Sequence, residues 1–124
     1  MDKNGNEKNV FETGDDMSIR VYFEKNKTVE KINFGLAIFN QEGHYAFGIN
    51  TIIDKIDTIK YVKDGYCQVD YNNIPLKTDL YHIGFAIYGE SENIAYDYAP
   101  KLKTFKVFSK DKNFGMMNID YRWN

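Results

Sequence analysis

Two segments of the sequence, 31–39 (KINFGLAIF) and 80–88 (LYHIGFAIY), share an alternation that is typical of extended β-strands. In both, large apolar side chains occupy every second position, and mostly small or polar residues occupy the others. Side chains of a strand point alternately to opposite faces, so each segment has one apolar face and one face rich in glycine and alanine. The alternation predicts two strands whose apolar faces belong to one core.

Other segments of the chain alternate in the same way and are separated by turn residues. They predict strands at 17–24, 44–50, 66–71, 94–98, 102–108 and 116–123. Pro100 is expected to interrupt the chain between two of these strands, because proline lacks an N–H donor. Seven or eight short strands indicate an all-β fold, a two-sheet antiparallel β-sandwich.

The segments between the strands are predicted to be loops. Residues 1–16 hold only two large apolar side chains and show no sustained period, and residues 1–10 are expected to be flexible. Residues 51–64 fit a crossing loop with at most one helical turn, because isoleucine and threonine are poor helix formers. Gly65 is expected to end this loop.

Length and composition limit the classes of function. The 124 residues fit one domain, residues 1–124, with one core. Sixteen Lys and Arg against eighteen Asp and Glu, evenly spread, give a net charge of -2, which argues against nucleic acid as a partner. No run of about 18 apolar residues is present, so direct membrane insertion is not expected.

The inward-facing positions of the predicted strands should form a single core between two sheets. Eleven side chains belong to this predicted core: Ile19, Val21, Phe23, Phe34, Leu36, Ile38, Phe47, Val69, Ile83, Phe85 and Ile87. Aromatic residues make up 16% of the chain, more than one small core needs, so some rings are expected at the surface.

The opposite face of the same strands predicts a shallow groove. Residues 40–43 form a turn signal, and a hairpin with Phe39 opposite His44 would place Gly35 opposite Gly48. If 80–88 lies beside 33–39, six small residues form a groove floor: Gly35, Ala37, Ala46, Gly48, Gly84 and Ala86.

Aromatic rings and hydrogen-bonding side chains surround this predicted floor. The candidate carbohydrate-binding residues are Asn33, Phe39, His44, Asn50, His82 and Tyr88. A pyranose presents an apolar C–H face to a ring and hydroxyl groups to amides and imidazoles, so this mixture suits a sugar. Small residues also permit close backbone approach, so a protein partner covering the face is an equally open interpretation.

Catalytic chemistry has little support in the sequence. We predict no catalytic residue, no metal site and no cofactor, because no nucleophile, base and orienting group are placed to converge. His44 and His82 could lie close together, but two histidines alone are a weak metal signature. Cys67 alternates with core residues, which favours a buried, inert thiol.

The order of motifs along the chain resembles a known family. The motifs are FETGDDMSIRVYFE, INFGLAIFNQEGHYAFGINT, GYCQVDYNNIPLKTDLYHIGFAIY and AYDYAPKLKTFKV, closed by G-x-x-x-I-x-x-x-W. Together they resemble the C-terminal carbohydrate-binding domain of the ATPase subunit of O-antigen polysaccharide ABC transporters, the Wzt C-terminal family. The resemblance covers residues 10–123 and is most specific over 34–51.

The resemblance implies an immunoglobulin-like β-sandwich that recognises a finished glycan before export and catalyses no reaction. It also implies a homodimer through an exchanged C-terminal strand, and the alternating Met117, Ile119, Tyr121 and Trp123 fit that strand. The nucleotide-binding domain of a parent transporter ATPase is the other implied partner, at the cytoplasmic face of the membrane. Because glycan contacts in the family vary with the polymer, no binding residue is transferred from it.

Overall fold

The computed structural model describes residues 1–24, 32–89 and 95–124, and these residues form seven strands and one short helix. In chain order they are β1 (Val10–Glu12), β2 (Met17–Tyr22), β3 (Asn33–Asn40), β4 (Tyr45–Asn50), α1 (Ile59–Asp64), β5 (Tyr66–Tyr71), β6 (Asp79–Tyr88) and β7 (Ala95–Phe108). Positions 31 and 94, where two predicted strands begin, lie outside the described residues. Across the described ranges, no helix is long and apolar enough to span a membrane.

The strands form two sheets that share one core. The larger sheet has the order β1-β7-β6-β3-β4, and β2 pairs with β5 in the smaller one. The predicted all-β sandwich is confirmed, as is the pairing of β3 with β6. One edge differs from the prediction, because β1 runs parallel to β7 whereas the other described strand pairs are antiparallel.

Strand β1 lies in the segment that was predicted to be loop. Phe11 is almost completely buried, and its ring meets that of Phe105 edge-on with centroids 6.0 Å apart. A strand of three residues is too short for an alternation to be visible, so the prediction for this segment was wrong. The burial of one large ring and pairing with β7 hold the strand in place.

The predicted interruption at Pro100 is a bulge within one continuous strand, β7. Ile83 pairs with Lys103 and Phe85 pairs with Ala99, so β7 carries extra residues opposite Gly84. Proline cannot donate a ladder hydrogen bond, and a bulge accommodates that loss without ending the strand. Two predicted strands are therefore one.

The crossing segment contains the six-residue helix α1. Gly65 caps its C-terminus with a positive φ of 77°, and the Gly65 N–H donates to the Tyr61 carbonyl. Left-handed backbone favours glycine, which explains why the helix ends there.

The core lies between the two sheets. Its least exposed side chains are Tyr81, Phe11 and Val107. Ten of the eleven predicted core residues are buried or packed against the core. Phe47 is the exception, with 52% of its surface exposed. It lies on the edge strand β4, where its ring meets that of Tyr71 on β5 at a centroid distance of 6.2 Å.

The C-terminal segment 116–123 does not form the predicted strand within this single chain. One isolated bridge joins Leu76 to Met117, and the Lys77 N–H donates to the Met116 carbonyl at 2.9 Å. The four predicted dimer-strand residues are each more than half exposed: Met117, Ile119, Tyr121 and Trp123. Their apolar surface is left without cover in the described residues.

Candidate functional site

The pairing of β3 with β4 decides which side chains share the outer face of the larger sheet. Ala37 lies opposite Gly48 and Gly35 opposite Asn50, two positions away from the predicted register. The turn closes between Asn40 and His44, because the Asn40 Oδ1 accepts the His44 N–H at 2.8 Å. An even shift keeps each residue on its face, so Gly48 stays on the outer face.

A bulge at Ala46 exchanges two side chains between the faces of β4. Ile38 pairs with Phe47 and Phe39 pairs with Tyr45, which leaves Ala46 without a partner residue. Ala46 packs against the core, so its predicted place in the groove floor was wrong. Tyr45 takes the outer face instead, with its ring centroid 4.5 Å from that of Phe39. Nothing in the alternation signals this extra residue.

An open cavity of about 290 Å³ lies on this outer face, and we call it the aromatic groove. Five predicted floor residues contribute to it: Gly35, Ala37, Gly48, Gly84 and Ala86. Four rings also line it: Phe39, Tyr45, Tyr88 and Tyr98. Two of these rings, Tyr45 and Tyr98, were missed by the sequence analysis. Ile53 and Asn50 complete one end.

Aromatic rings pack directly against three glycines of the groove, so these glycines do not form an open floor. A Cβ atom on Gly35 would lie 2.8 Å from Tyr88 Cε2, and one on Gly84 would lie 2.9 Å from Phe39 Cε2. On Gly48 it would lie 3.3 Å from Tyr45 Cε1. Each ring therefore lies against the backbone of the sheet, in space that a larger residue would fill.

Asn33 has a structural role that differs from the predicted glycan contact. It is buried, its Nδ2 donates to the Gly89 carbonyl at 2.9 Å, and its Oδ1 accepts from Thr51 Oγ1 at 3.0 Å. Thr51 Oγ1 in turn accepts the Phe34 N–H. Because both ends of the amide are engaged, Asn33 fixes the chain on either side of the groove.

The two histidines also lie outside the groove lining. His44 is in the β3–β4 turn, with its Nδ1 3.8 Å from Glu42 Oε2. His82 lies opposite Phe39, with its Nδ1 3.0 Å from Thr104 Oγ1. Phe39 lies opposite Tyr45, so His44 is in the turn and not opposite Phe39, where the predicted register placed it. Within the described ranges, no group of three or more His, Cys, Asp or Glu could hold a metal ion.

Asn50 is the predicted amide that does line the groove. Its Oδ1 accepts the Ile53 N–H at 2.7 Å, which places the Ile53 side chain at the end of the cavity. The amide thus shapes the rim of the groove as well as contributing polar surface.

Cys67 is buried in β5, on the core side of the smaller sheet. Burial raises the pKa of its thiol to about 11, so it stays protonated at neutral pH. A protonated thiol in the core is a poor nucleophile.

The family profile described as the Wzt C-terminal domain matches residues 1–119. The chain belongs to the Wzt C-terminal domain family. A crystal structure of the C-terminal domain of Wzt superposes with a TM-score of 0.64 and 13% sequence identity, covering 92% of this chain and 72% of that one. At this identity, the superposition supports the shared fold alone.

The family assignment confirms the resemblance of the motifs. No curated protein matches the sequence. Membership of the Wzt C-terminal domain family fits a domain of the ATPase subunit of a polysaccharide ABC transporter, and a domain without catalytic activity.

Proposed function

We propose that the aromatic groove binds a segment of a bacterial surface polysaccharide, an O-antigen-like glycan, and so selects the polymer for export by its transporter. The observation that carries this proposal is the set of three rings, Phe39, Tyr45 and Tyr88, each held against a glycine. The domain acts by recognition and catalyses no reaction.

The chemistry of the groove matches that of a sugar. The apolar C–H face of a pyranose stacks on an aromatic ring, and its hydroxyl groups exchange hydrogen bonds with neutral polar groups. The phenol groups of Tyr45 and Tyr98 and the amide of Asn50 offer such partners. Rings that are already held against the backbone lose little conformational freedom when a sugar stacks on them.

The size of the groove favours a short glycan segment. Its volume of about 290 Å³ lies near the lower limit of small-molecule pockets, which span about 300–1,000 Å³. One groove should therefore bind weakly. A repeating polymer that engages two linked grooves gains apparent affinity through effective concentration.

Loss of a single ring should weaken polymer binding. For Tyr88→Ala and Phe39→Ala, we expect binding free energy to fall by about 0.5–1.5 kcal/mol each, with little change in thermal stability. Calorimetric titration with the polysaccharide of the source bacterium measures this. Tyr22→Ala is the matched control, because Tyr22 is 71% exposed and lies on the other sheet.

Unchanged affinity for the polysaccharide in both groove variants would show that the glycan binds elsewhere on the domain. A partner protein that covers the same face is the competing explanation. It would be supported if the polymer failed to bind the unaltered chain while a protein partner was lost from both variants.

We also propose that the domain acts beside its nucleotide-binding domain at the cytoplasmic face of the inner membrane. Family membership supports a place in a transporter ATPase. A recognition site there meets the glycan before it is exported.

A homodimer is the last part of the proposal, with the segment 116–123 exchanged between two protomers. Tyr121 and Trp123 are exposed, and each aromatic ring can bury about 150–250 Å². At about 25 cal/mol per Å², covering two rings contributes on the order of several kcal/mol. The polar residues 109–113 can carry the segment to a neighbouring chain.

Truncation after Phe114 should convert the dimer into a monomer or an aggregate. Light scattering at micromolar concentration measures the mass of both forms. A triple variant, Ile119→Ser, Tyr121→Ser and Trp123→Ser, keeps the Leu76–Met117 bridge and should also dissociate. If the full chain is already monomeric, the exchange is wrong.

A further inference from the structure

We infer that the aromatic groove selects uncharged sugars and discriminates against acidic ones, an inference that rests on the proposed function. The chain has sixteen Lys and Arg and eighteen Asp and Glu. Within the described ranges, none of these side chains lines the groove.

The residue pairs that cross the groove also lack charged side chains. Gly35 pairs with Ala86, which pairs with Tyr98 on β7, and Ala37 pairs with Gly84. These positions span three strands of the outer face and contain no ionisable group except a phenol. A bound sugar would therefore contact rings, small residues and neutral polar groups.

Two ion pairs of the larger sheet lie toward its opposite edge. Lys103 pairs with Glu7 at 2.8 Å, and Lys110 lies 3.4 Å from Glu12. These pairs join β7 and the segment after it to β1 and the segment before it, whereas the groove is centred on β3 and β6.

A carboxylate is poorly matched to such a surface. An anion that leaves water for a groove without a cation loses hydration with no compensating charge. The faces of aromatic rings carry negative potential, which attracts cations and disfavours anions. A hydroxymethyl group in the same position exchanges its hydrogen bonds with water for bonds to phenol or amide groups.

Three matched pairs of sugars test the inference on the full chain. The probes are the methyl glycosides of glucose, galactose and mannose and the corresponding uronic acids, which replace a neutral hydroxymethyl group by a carboxylate. Amide chemical shifts of β3, β4 and β6 report binding at millimolar concentration. We expect the neutral member to bind about five- to a hundredfold more tightly, with affinity insensitive to salt.

A charge placed at the rim should change this preference. Ile53→Lys puts an ammonium group at the end of the groove, and we expect it to favour the uronic acid by about two- to fivefold at low salt. Ile59→Lys is the matched control, because Ile53 is 66% exposed and Ile59 is 70% exposed but lies outside the groove.

The outcomes separate the inference from the proposed function. If the uronic acids bind the groove as tightly as the neutral sugars, the selectivity is wrong while glycan binding is supported. An unchanged preference in Ile53→Lys would also overturn the selectivity. If no sugar shifts the groove amides, the proposed function fails and the inference fails with it.

Discussion

Replacement of Phe85 by alanine is expected to lower the free energy of unfolding by about 3–5 kcal/mol. Phe85 is buried on β6, and its ring stacks on Phe34 with centroids 5.8 Å apart. Phe34 also contacts the rings of Phe23 and Tyr61. Removing Phe85 therefore opens a cavity beside Phe34, the central ring of an aromatic cluster.

Urea denaturation followed by circular dichroism measures this change. Small domains have about 5–15 kcal/mol of stability in total, so the variant should unfold at a much lower urea concentration. Phe47→Ala is the control, because Phe47 is half exposed on the edge strand and should cost less. Equal losses in the two variants would contradict the assignment of the core.

Gly84→Ala is the second change with a large expected effect, because it acts on both fold and groove. The added Cβ would lie 2.9 Å from Phe39 Cε2 and 3.2 Å from the Pro100 carbonyl oxygen. The ring can move, but the carbonyl belongs to the bulge in β7. We expect a stability loss of about 1–3 kcal/mol together with weaker glycan binding.

Gly35→Ala provides the contrast. The three atoms nearest its added Cβ all belong to the Tyr88 side chain, the nearest at 2.8 Å. Displacing this ring should weaken binding while stability falls less than in Gly84→Ala. Thermal unfolding and glycan titration of both variants test the difference. Full glycan affinity in both variants would show that the rings of Phe39 and Tyr88 do not form the binding surface.

The sequence predicted the parts of the fold that repeat over many residues. Alternation over 80–88 places Tyr81, Ile83 and Phe85 in the core, and burial of one face fixes that choice strongly. The same alternation indicated that β3 and β6 share a face of small residues. These predictions rest on an alternation that extends over about nine residues, so no single residue decides them.

Features that depend on one or two residues were not predictable. The bulge at Ala46 depends on how the Asn40–His44 turn closes, and no period in the sequence records it. The bulge turns the Tyr45 ring to the outer face, so the alternation did not predict that ring in the groove. The positions of Asn33 and His44 were not predictable either, because a single hydrogen bond or turn decides where each side chain lies.

The three groove rings and the core side chains occupy opposite faces of the larger sheet. Phe39, Tyr45 and Tyr88 rest on backbone, whereas the core beneath them is built from the opposite faces of the same strands. Under the proposed function, replacing one of these three rings by another planar side chain would alter which sugar is preferred. The interior would not need to repack. If the groove binds glycans as proposed, one sandwich can in this way serve chemically different polymers while Gly35, Gly48 and Gly84 stay unchanged.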